Sequence, residues 1–378
     1  LDGSWALHDL EAIANYGHVA IHRVTEVSKA MIAAHYDKSP ETSFFLGCSN
    51  GGRQALQEAQ RYPEDFDVIL AGAPALDFDG LAAAFLYITQ RMYPDMEDLS
   101  TPVVTREDRT LLRQAILDRC DGRDDLEDQI LADPNACDFD TASLACGEGT
   151  SEGCLTPQKL AAIDAIYDGP RSANGEPLHV GFPFGAEDVE LNGWGSWLVG
   201  RENGAGPGVP NAAFGFGTGL AKYFVYQRPE WSYEGYGFET WGKDTLAVQK
   251  TLNADSPDLD AFRARGGKLL MFHGWSDSAL SANMSIDYVK RVYDRDASAQ
   301  DDVRLFMMPG VLHCFGGKGP SRVDWLDAME QWHETGAAPQ ELDAEFLAGG
   351  GGRKLCAWPK QAIFSGSDDR SPESFECR

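Results

Sequence analysis

Residues 43–52 read SFFLGCSNGG, an apolar run that ends in a glycine-rich turn containing a serine. The run Ser43–Leu46 predicts a short buried strand, and Gly52–Arg61 alternates polar and apolar residues with the period of a helix. Between them, Gly47–Gly51 fits G-x-S-x-G, which is typical of a nucleophile elbow when a strand precedes it and a helix follows. A side chain in place of either glycine would crowd so sharp a turn. The alternative is an ordinary strand-to-helix turn without chemistry.

The same alternation of helix and strand continues on both sides of this turn. The pattern predicts a helix over 18–36 and 281–293, and a strand over 67–72, 268–273 and 303–308. This rhythm indicates an α/β sheet flanked by helices. It is interrupted between the second and third strands by a long stretch with four cysteines and many glycines and prolines. We therefore predict a catalytic core of residues 1–77 and 256–378, with residues 78–255 inserted as a lid.

Composition limits the partners and the cellular location. The formal net charge is −27 and the pI is about 4.5, so the chain would repel nucleic acid. The sequence contains no run of 18 apolar residues that would predict a membrane-spanning helix. The eight cysteines favour disulfides and an oxidising compartment, so we expect a secreted or periplasmic protein. Because the sequence begins without methionine, we also expect upstream sequence to be missing.

A serine nucleophile needs a base, and the base needs an acid that orients it. Of eight histidines, only His273 and His313 flank the carboxyl ends of predicted strands, where catalytic groups gather in open α/β sheets. His313 follows the last strand and is predicted as the base, whereas His273 is predicted to be a packed structural residue. Asp277 follows the strand before it and completes the chain order Ser, Asp, His. The alternative for Asp277 is a turn residue. The backbone amide of Asn50 is predicted to contact the oxyanion.

Two cysteines adjoin these candidates. Cys48 immediately precedes Ser49, and Cys314 immediately follows His313. A disulfide between them would tie the two catalytic loops together across the sheet. The alternative is a pair of buried free thiols that act as small apolar residues.

Five short motifs carry a resemblance to a known family. They are GCSNGGR at 47–53, QRYP at 60–63, AGAP at 71–74, GWSD at 274–277 and LHC at 312–314. With them the chain resembles the tannase and feruloyl esterase family over nearly its whole length. The resemblance implies an α/β-hydrolase core, a large inserted lid, and hydrolysis of esters of aromatic acids. It also implies that N-terminal core strands, which supply a second oxyanion amide, are absent from this chain.

The family also implies the substrate class. We expect a small aromatic ester, free or attached to a plant polysaccharide. Feruloyl and related hydroxycinnamoyl esters are the substrates that we expect first, and galloyl esters and terephthalate monoesters are the alternatives. A serine peptidase of the same fold, or an inactive calcium-binding module, is a further alternative.

The segment 120–130 reads CDGRDDLEDQI and concentrates carboxylates at a density that suits calcium, although a solvated acidic loop is the alternative. In the resembling family such a loop binds a structural Ca²⁺. Carried over to this sequence, the ligands are the side chains of Asp121, Asp124 and Asp128 and the carbonyls of Leu126 and Ile130.

The remaining cysteines divide into three local pairs. A Cys120–Cys137 disulfide would close the acidic loop. Proximity and the family pattern together pair Cys146 with Cys154 and Cys356 with Cys377.

Aromatic residues of the predicted lid could stack on an aromatic acyl group. We select Trp194 and Trp197 as candidate substrate contacts because Gly193, Gly195 and Gly200 lie beside them and would leave the indole faces open. The alternative is that these tryptophans form the core of the lid itself.

Overall fold

The computed structural model describes residues 2–150, 152–200 and 208–378. Its strands are β1 (Phe44–Cys48), β2 (Val68–Gly72), β3 (Lys268–Gly274), β4 (Val303–Met308), β5 (Glu341–Glu345), β6 (Gly352–Cys356), β7 (Ala362–Phe364) and β8 (Phe375–Cys377). Its helices are α1 (Leu10–Ala14), α2 (Ala20–Tyr36), α3 (Asn50–Arg61), α4 (Phe78–Met92), α5 (Arg106–Cys120), α6 (Pro157–Asp168), α7 (Ala212–Leu220), α8 (Trp241–Asp244), α9 (Leu246–Leu252), α10 (Asp260–Ala264), α11 (Ala282–Arg295) and α12 (Trp325–Thr335).

A sheet of four parallel strands, in the order β1-β2-β3-β4, forms the centre of the molecule. Alternate side chains point to opposite faces, as the period of a strand requires. Ile69 and Leu305 pack on one face with α3 and α11, while Leu70 and Phe306 pack on the other with Trp332 of α12. The predicted α/β-hydrolase-like core, with helices on both faces of a parallel sheet, is confirmed.

The outer edge of β1 is open. In the parts of the chain that the structure describes, no strand pairs with this edge, and Leu46 at its centre is 48% exposed. The predicted helix over 18–36 forms, but its apolar residues Val24, Val27 and Met31 face solvent.

Between β2 and α10 the chain forms the helices α4–α9 and little sheet. They build apolar clusters of their own, one around Phe85, Leu112 and Ile163 and another around Leu86 and Trp241. α4 begins at Phe78 and α9 ends at Leu252, within the bounds 78–255 predicted for the insertion, and its role as a lid stays a prediction. Within the described ranges, no helix has the length and apolar character needed to cross a membrane.

Candidate active site

Ser49 occupies a strained turn between β1 and α3. Its φ of 65° lies in the left-handed region, which residues other than glycine rarely adopt. A Cβ on Gly47 would lie 2.3 Å from the carbonyl oxygen of Gly51, and a Cβ on Gly52 would lie 2.4 Å from that of Gly72. A Cβ on Gly51 would meet nothing within 4 Å. The expectation that both glycines of G-x-S-x-G are sterically required therefore holds for Gly47 alone, and the second required glycine is Gly52.

The loops after β3 and β4 bring Asp277 and His313 together. Asp277 Oδ2 lies 2.8 Å from His313 Nδ1, and Asp277 Oδ1 accepts hydrogen bonds from the amides of Ala279 and Leu280. Burial opposes the ionisation of Asp277, but the charge of His313 and the hydrogen bonds from its partners hold the pKa of Asp277 well below its usual value. Burial likewise lowers the pKa of His313, but attraction to Asp277 outweighs it and the net shift is upward.

A second histidine contacts the same carboxylate. His273 is fully buried at the end of β3, and its Nε2 lies 3.3 Å from Asp277 Oδ2 and 3.0 Å from the carbonyl oxygen of Leu280. Its Nδ1 lies 2.8 Å from Ser285 Oγ. If Nε2 carries the proton, it donates to the carboxylate, and Nδ1 accepts from the serine hydroxyl. His273 is thus packed, as predicted, but its contact with Asp277 was not foreseen.

Ser49 and His313 line one cavity of about 340 Å³. Among the described residues, the Ser49 hydroxyl makes no hydrogen bond, and His313 uses only Nδ1 in side-chain pairing. His313 Nε2 is therefore free to accept a proton. Such catalytic contacts are often loose without substrate and tighten when it binds.

Three π-helical segments each supply an aromatic ring to the cavity wall. The segments are Asn15–Val19, Gly195–Val199 and Ala221–Val225, and the rings are those of Tyr16, Trp197 and Phe224. Insertions of this kind rotate side chains relative to a regular helix and occur often at functional sites.

The wall beside His313 is made by Trp197 and Phe216. Their rings are stacked, with centroids 6.1 Å apart, and the Trp197 ring meets the His313 ring edge-on at 5.4 Å. Trp197 thus lines the cavity, and its contact with a substrate stays a prediction.

Trp194 requires a correction. It is 1% exposed, packs in the apolar cluster of α4–α6 and is not part of the cavity wall. The neighbouring glycines do not open the indole faces, because a Cβ on Gly193 would lie 2.5 Å from Val189 Cβ and one on Gly195 would lie 2.5 Å from Glu190 Oε2. These glycines permit close packing, so the alternative, a lid-core tryptophan, describes Trp194.

Sequence reasoning also missed Asn192. Its Nδ2 donates to the carbonyl oxygen of His313 at 3.1 Å, and its Oδ1 accepts from Trp197 Nε1 at 3.1 Å. Asn192 therefore links the loop of the candidate base to the cavity wall. Its positive φ of 61°, which asparagine tolerates better than most residues, is a structural signal that the sequence pattern does not reveal.

The Cys48–Cys314 disulfide joins the loops of Ser49 and His313, and the other three predicted disulfides also form. The Cα atoms of Cys48 and Cys314 are 6.0 Å apart although 266 residues separate them in sequence. Cys314, like Ser49, has a positive φ. The bridge thus holds two strained turns next to each other.

Comparison with known proteins identifies the family. Residues 2–378 match the family model "Tannase and feruloyl esterase". The chain belongs to the tannase and feruloyl esterase family. It is therefore a carboxylic ester hydrolase by membership.

Relatives and solved structures agree with this membership. The mono(2-hydroxyethyl) terephthalate hydrolase of Piscinibacter sakaiensis is 30% identical, over 98% of this chain and 69% of that protein. Feruloyl esterase B of Aspergillus niger is 28% identical, over 98% of this chain and 73% of that protein. The crystal structure of feruloyl esterase B from Aspergillus oryzae superposes with a TM-score of 0.87 at 26% identity, over 100% of this chain and 77% of that one.

The acidic loop after α5 has a polar site of its own. Asp121 Oδ1 is buried without a hydrogen-bond partner among the described residues, and burial raises the pKa of Asp121. Burial, followed by the charge of Asp128, raises the pKa of Asp124 to about 6. Asp128 is also paired with Arg353. An unpartnered, buried carboxylate oxygen in a loop that holds two further aspartates fits the chemistry of a hard cation.

The side chains alone do not complete a metal site. Over the described residues, no group of three or more His, Cys, Asp or Glu side chains is arranged to hold an ion. The side chains of Asp121, Asp124 and Asp128 in the predicted ligand set are therefore not gathered around one point, and the set relies on the carbonyls of Leu126 and Ile130 as well.

We predict an acid limb above pH 6.5 in the wild-type activity profile. His313 must be neutral to accept the Ser49 proton, and its pKa is raised above the usual 6.5 by Asp277. Asp277→Asn removes that attraction and leaves the desolvation, so the acid limb of the residual activity should move below pH 6.5. The measurement is kcat/KM for a small activated ester as a function of pH. Asp287→Asn removes an exposed carboxylate on α11 and should leave the limb unmoved. An unmoved limb in Asp277→Asn would contradict the pairing.

The disulfides provide a second prediction. Replacing Cys48 and Cys314 together by serine should lower kcat by about tenfold or more, because small displacements of catalytic groups are costly. The same double replacement of Cys356 and Cys377, which join β6 to β8, should leave kcat near the wild-type value. Both are assayed well below their unfolding temperatures. The reverse ranking would count against a positioning role for the first bridge.

Proposed function

We propose that this chain is a serine esterase in which Ser49, His313 and Asp277 transfer an acyl group to water. The observation that carries the proposal is the convergence of an elbow serine and an Asp-paired histidine on one cavity. His313 Nε2 removes the Ser49 proton as Oγ attacks the ester carbonyl carbon, and a tetrahedral oxyanion forms. The backbone amide of Asn50, at the N-terminus of α3, donates to that oxyanion.

The second half of the reaction regenerates the enzyme. The protonated His313 gives its proton to the leaving alcohol oxygen as the ester bond breaks, and an acyl group remains on Ser49. A water molecule then loses a proton to His313 and attacks the acyl carbon. The bond between that carbon and Ser49 Oγ breaks, His313 returns the proton to Oγ, and the acid is released. Asp277 stays ionised throughout and stabilises the imidazolium.

The acyl group is proposed to be aromatic and uncharged, with feruloyl and related hydroxycinnamoyl esters as the leading substrates. The cavity wall contains the rings of Tyr16, Phe78, Phe85, Trp197 and Phe216. Aromatic contacts of this kind add about 0.5–1.5 kcal/mol per pair beyond burial. The esterified alcohol is proposed to be free or part of a plant polysaccharide.

The charges of the residues around the cavity allow the alternative substrates to be ranked. Among the described residues that line it, Asp2 is an acid and none is lysine or arginine. The free carboxylate of a terephthalate monoester would therefore lose its hydration without gaining a cationic partner, which is costly. Galloyl esters carry no such charge and rank between the two.

The test is a substrate panel. We expect kcat/KM to decrease from methyl ferulate to methyl gallate to mono(2-hydroxyethyl) terephthalate. Ser49→Ala should lose activity toward all three and should not react with a fluorophosphonate probe that labels the wild type. Wild-type turnover by Ser49→Ala would contradict the triad, and fastest hydrolysis of the terephthalate ester would contradict the charge argument. Peptide amides that outperform the esters would favour a peptidase.

We further propose that the loop 121–130 binds a structural Ca²⁺ through Asp121, Asp124 and Asp128 and the carbonyls of Leu126 and Ile130. The support is the buried, unpartnered Oδ1 of Asp121. The ion would order the region after α5 and take no part in the chemistry. Four disulfides also support secretion or a periplasmic location, because such bonds persist in oxidising compartments.

Calcium binding predicts a stability change. At a Ca²⁺ concentration 100 times Kd, the native state should gain about 2.7 kcal/mol, and chelation should remove it. Asp121→Asn should abolish the calcium-dependent rise in Tm. Asp125→Asn is the matched control, because Asp125 is exposed in the same loop with a positive φ that asparagine tolerates. Equal responses in both variants, or no response in the wild type, would contradict the site.

A further inference from the structure

The side-chain amide of Asn50 is held in one orientation. Its Oδ1 accepts a hydrogen bond from Arg53 Nε at 2.9 Å and lies 3.5 Å from the hydroxyl of Tyr16. Because a guanidinium can only donate, the amide atom that faces it must be the oxygen. The nitrogen Nδ2 is therefore directed away from Arg53.

This nitrogen is an unused donor beside the nucleophile. Asn50 lines the cavity next to Ser49. Among the residues that the structure describes, Nδ2 has no hydrogen-bond partner, and it is not one of the buried polar atoms that are sealed from solvent. A ligand in the cavity can therefore accept a hydrogen bond from it.

Arg53 fixes this orientation firmly. Its guanidinium is fully buried between the rings of Tyr16 and Phe78, at 5.1 and 5.4 Å from their centroids. Besides Asn50 Oδ1, it donates to the carbonyl oxygens of Gly17, Leu252 and Tyr16 at 2.7–3.0 Å. These bonds hold Arg53 in place, so a reversed Asn50 amide would set its NH₂ group against the Arg53 Nε–H and lose the hydrogen bond between them.

The acceptors around Arg53 are all neutral. No carboxylate in the described part of the chain forms an ion pair with it. Burial lowers the pKa of Arg53 to about 10, which still leaves it charged at neutral pH. A cation bound to the oxygen of a carboxamide polarises its N–H bonds, so Nδ2 becomes a stronger donor.

We propose that Asn50 Nδ2 donates a second hydrogen bond to the ester carbonyl oxygen as negative charge develops there, with Arg53 as the residue that positions it. The inference rests on the proposed role of Ser49. A donor fixed before the reaction needs no reorganisation in the transition state, and loss of one such donor typically lowers kcat by about 10²–10³-fold.

The decisive variant is Asn50→Asp, which replaces only the NH₂ group by an oxygen and keeps an acceptor for Arg53. We expect kcat for methyl ferulate to fall by about 100-fold or more with KM changed less than about threefold. The Tm should not fall, because the new carboxylate would pair with Arg53. Asn283→Asp makes the same change on α11, away from the cavity, and should keep the wild-type kcat.

A second variant separates the lost donor from the added charge. Asn50→Ala removes Nδ2 without adding a charge and should also lower kcat, by about tenfold or more. Arg53→Lys tests the positioning role. Arg53→Lys should lower kcat in the wild-type background but have little further effect on kcat in Asn50→Ala. If Arg53 had a purely structural role, the substitution would lower kcat in both backgrounds.

Several outcomes would overturn the proposal. They are a kcat within about threefold of wild type in Asn50→Asp, an effect confined to KM, or wild-type turnover by Asn50→Ala. If Ser49→Ala is inactive while the Asn50 variants are fast, only this inference fails. If Ser49→Ala is itself active, the proposed function fails with it.

Discussion

His313 can reach Ser49 only because the chain after β4 crosses the ends of the two strands that separate them. Neighbouring strands lie about 4.8 Å apart, so β1 and β4, at opposite edges of the sheet, are separated by about 14 Å. The Cα atoms of Cys48 and Cys314 are nevertheless 6.0 Å apart. The crossing loop runs closely over the end of β3, where a Cβ on Gly274 would lie 2.3 Å from the carbonyl oxygen of Val311. The site therefore depends on the absence of a side chain at Gly274 and on the Cys48–Cys314 disulfide, which fixes the end of the crossing loop next to β1.

The same crossing brings Asp277 into contact with His313. The amide of Ser276 donates to the carbonyl oxygen of Val311, so the loop of Asp277 is hydrogen-bonded to the loop of His313. Asp277 is buried, and two backbone amides and two histidines surround its carboxylate. A buried charge is tolerable only with such partners. The loops after β1, β3 and β4 thus form one connected unit, in which displacement of one changes the others.

Local signals predicted the core from the sequence and selected the residues of the candidate triad. The strand Val303–Met308 was predicted with its exact bounds, and Ser49, Asp277 and His313 follow from spacing relative to strand ends. Signals that depend on tertiary neighbours were missed. Nothing local distinguishes Trp194 from Trp197, yet one is buried among α4–α6 and the other faces the cavity. Likewise, the spacing of apolar residues in α2 predicts a helix, but it does not predict whether another element packs against the apolar face of that helix.

One face of α3 explains how the nucleophile and the region between β2 and β3 are coordinated. Arg53, Gln57 and Gln60 follow Ser49 at helical spacing and lie on the same side of the helix. Their side chains donate to the carbonyl oxygens of residues 252–254, where the chain returns from α9 toward the sheet. Such buried donors cost free energy when unpartnered, so the returning chain is held at α3. Because α3 also begins at the nucleophile turn, the hydrogen bonds that fix the returning chain also fix the cavity wall relative to Ser49.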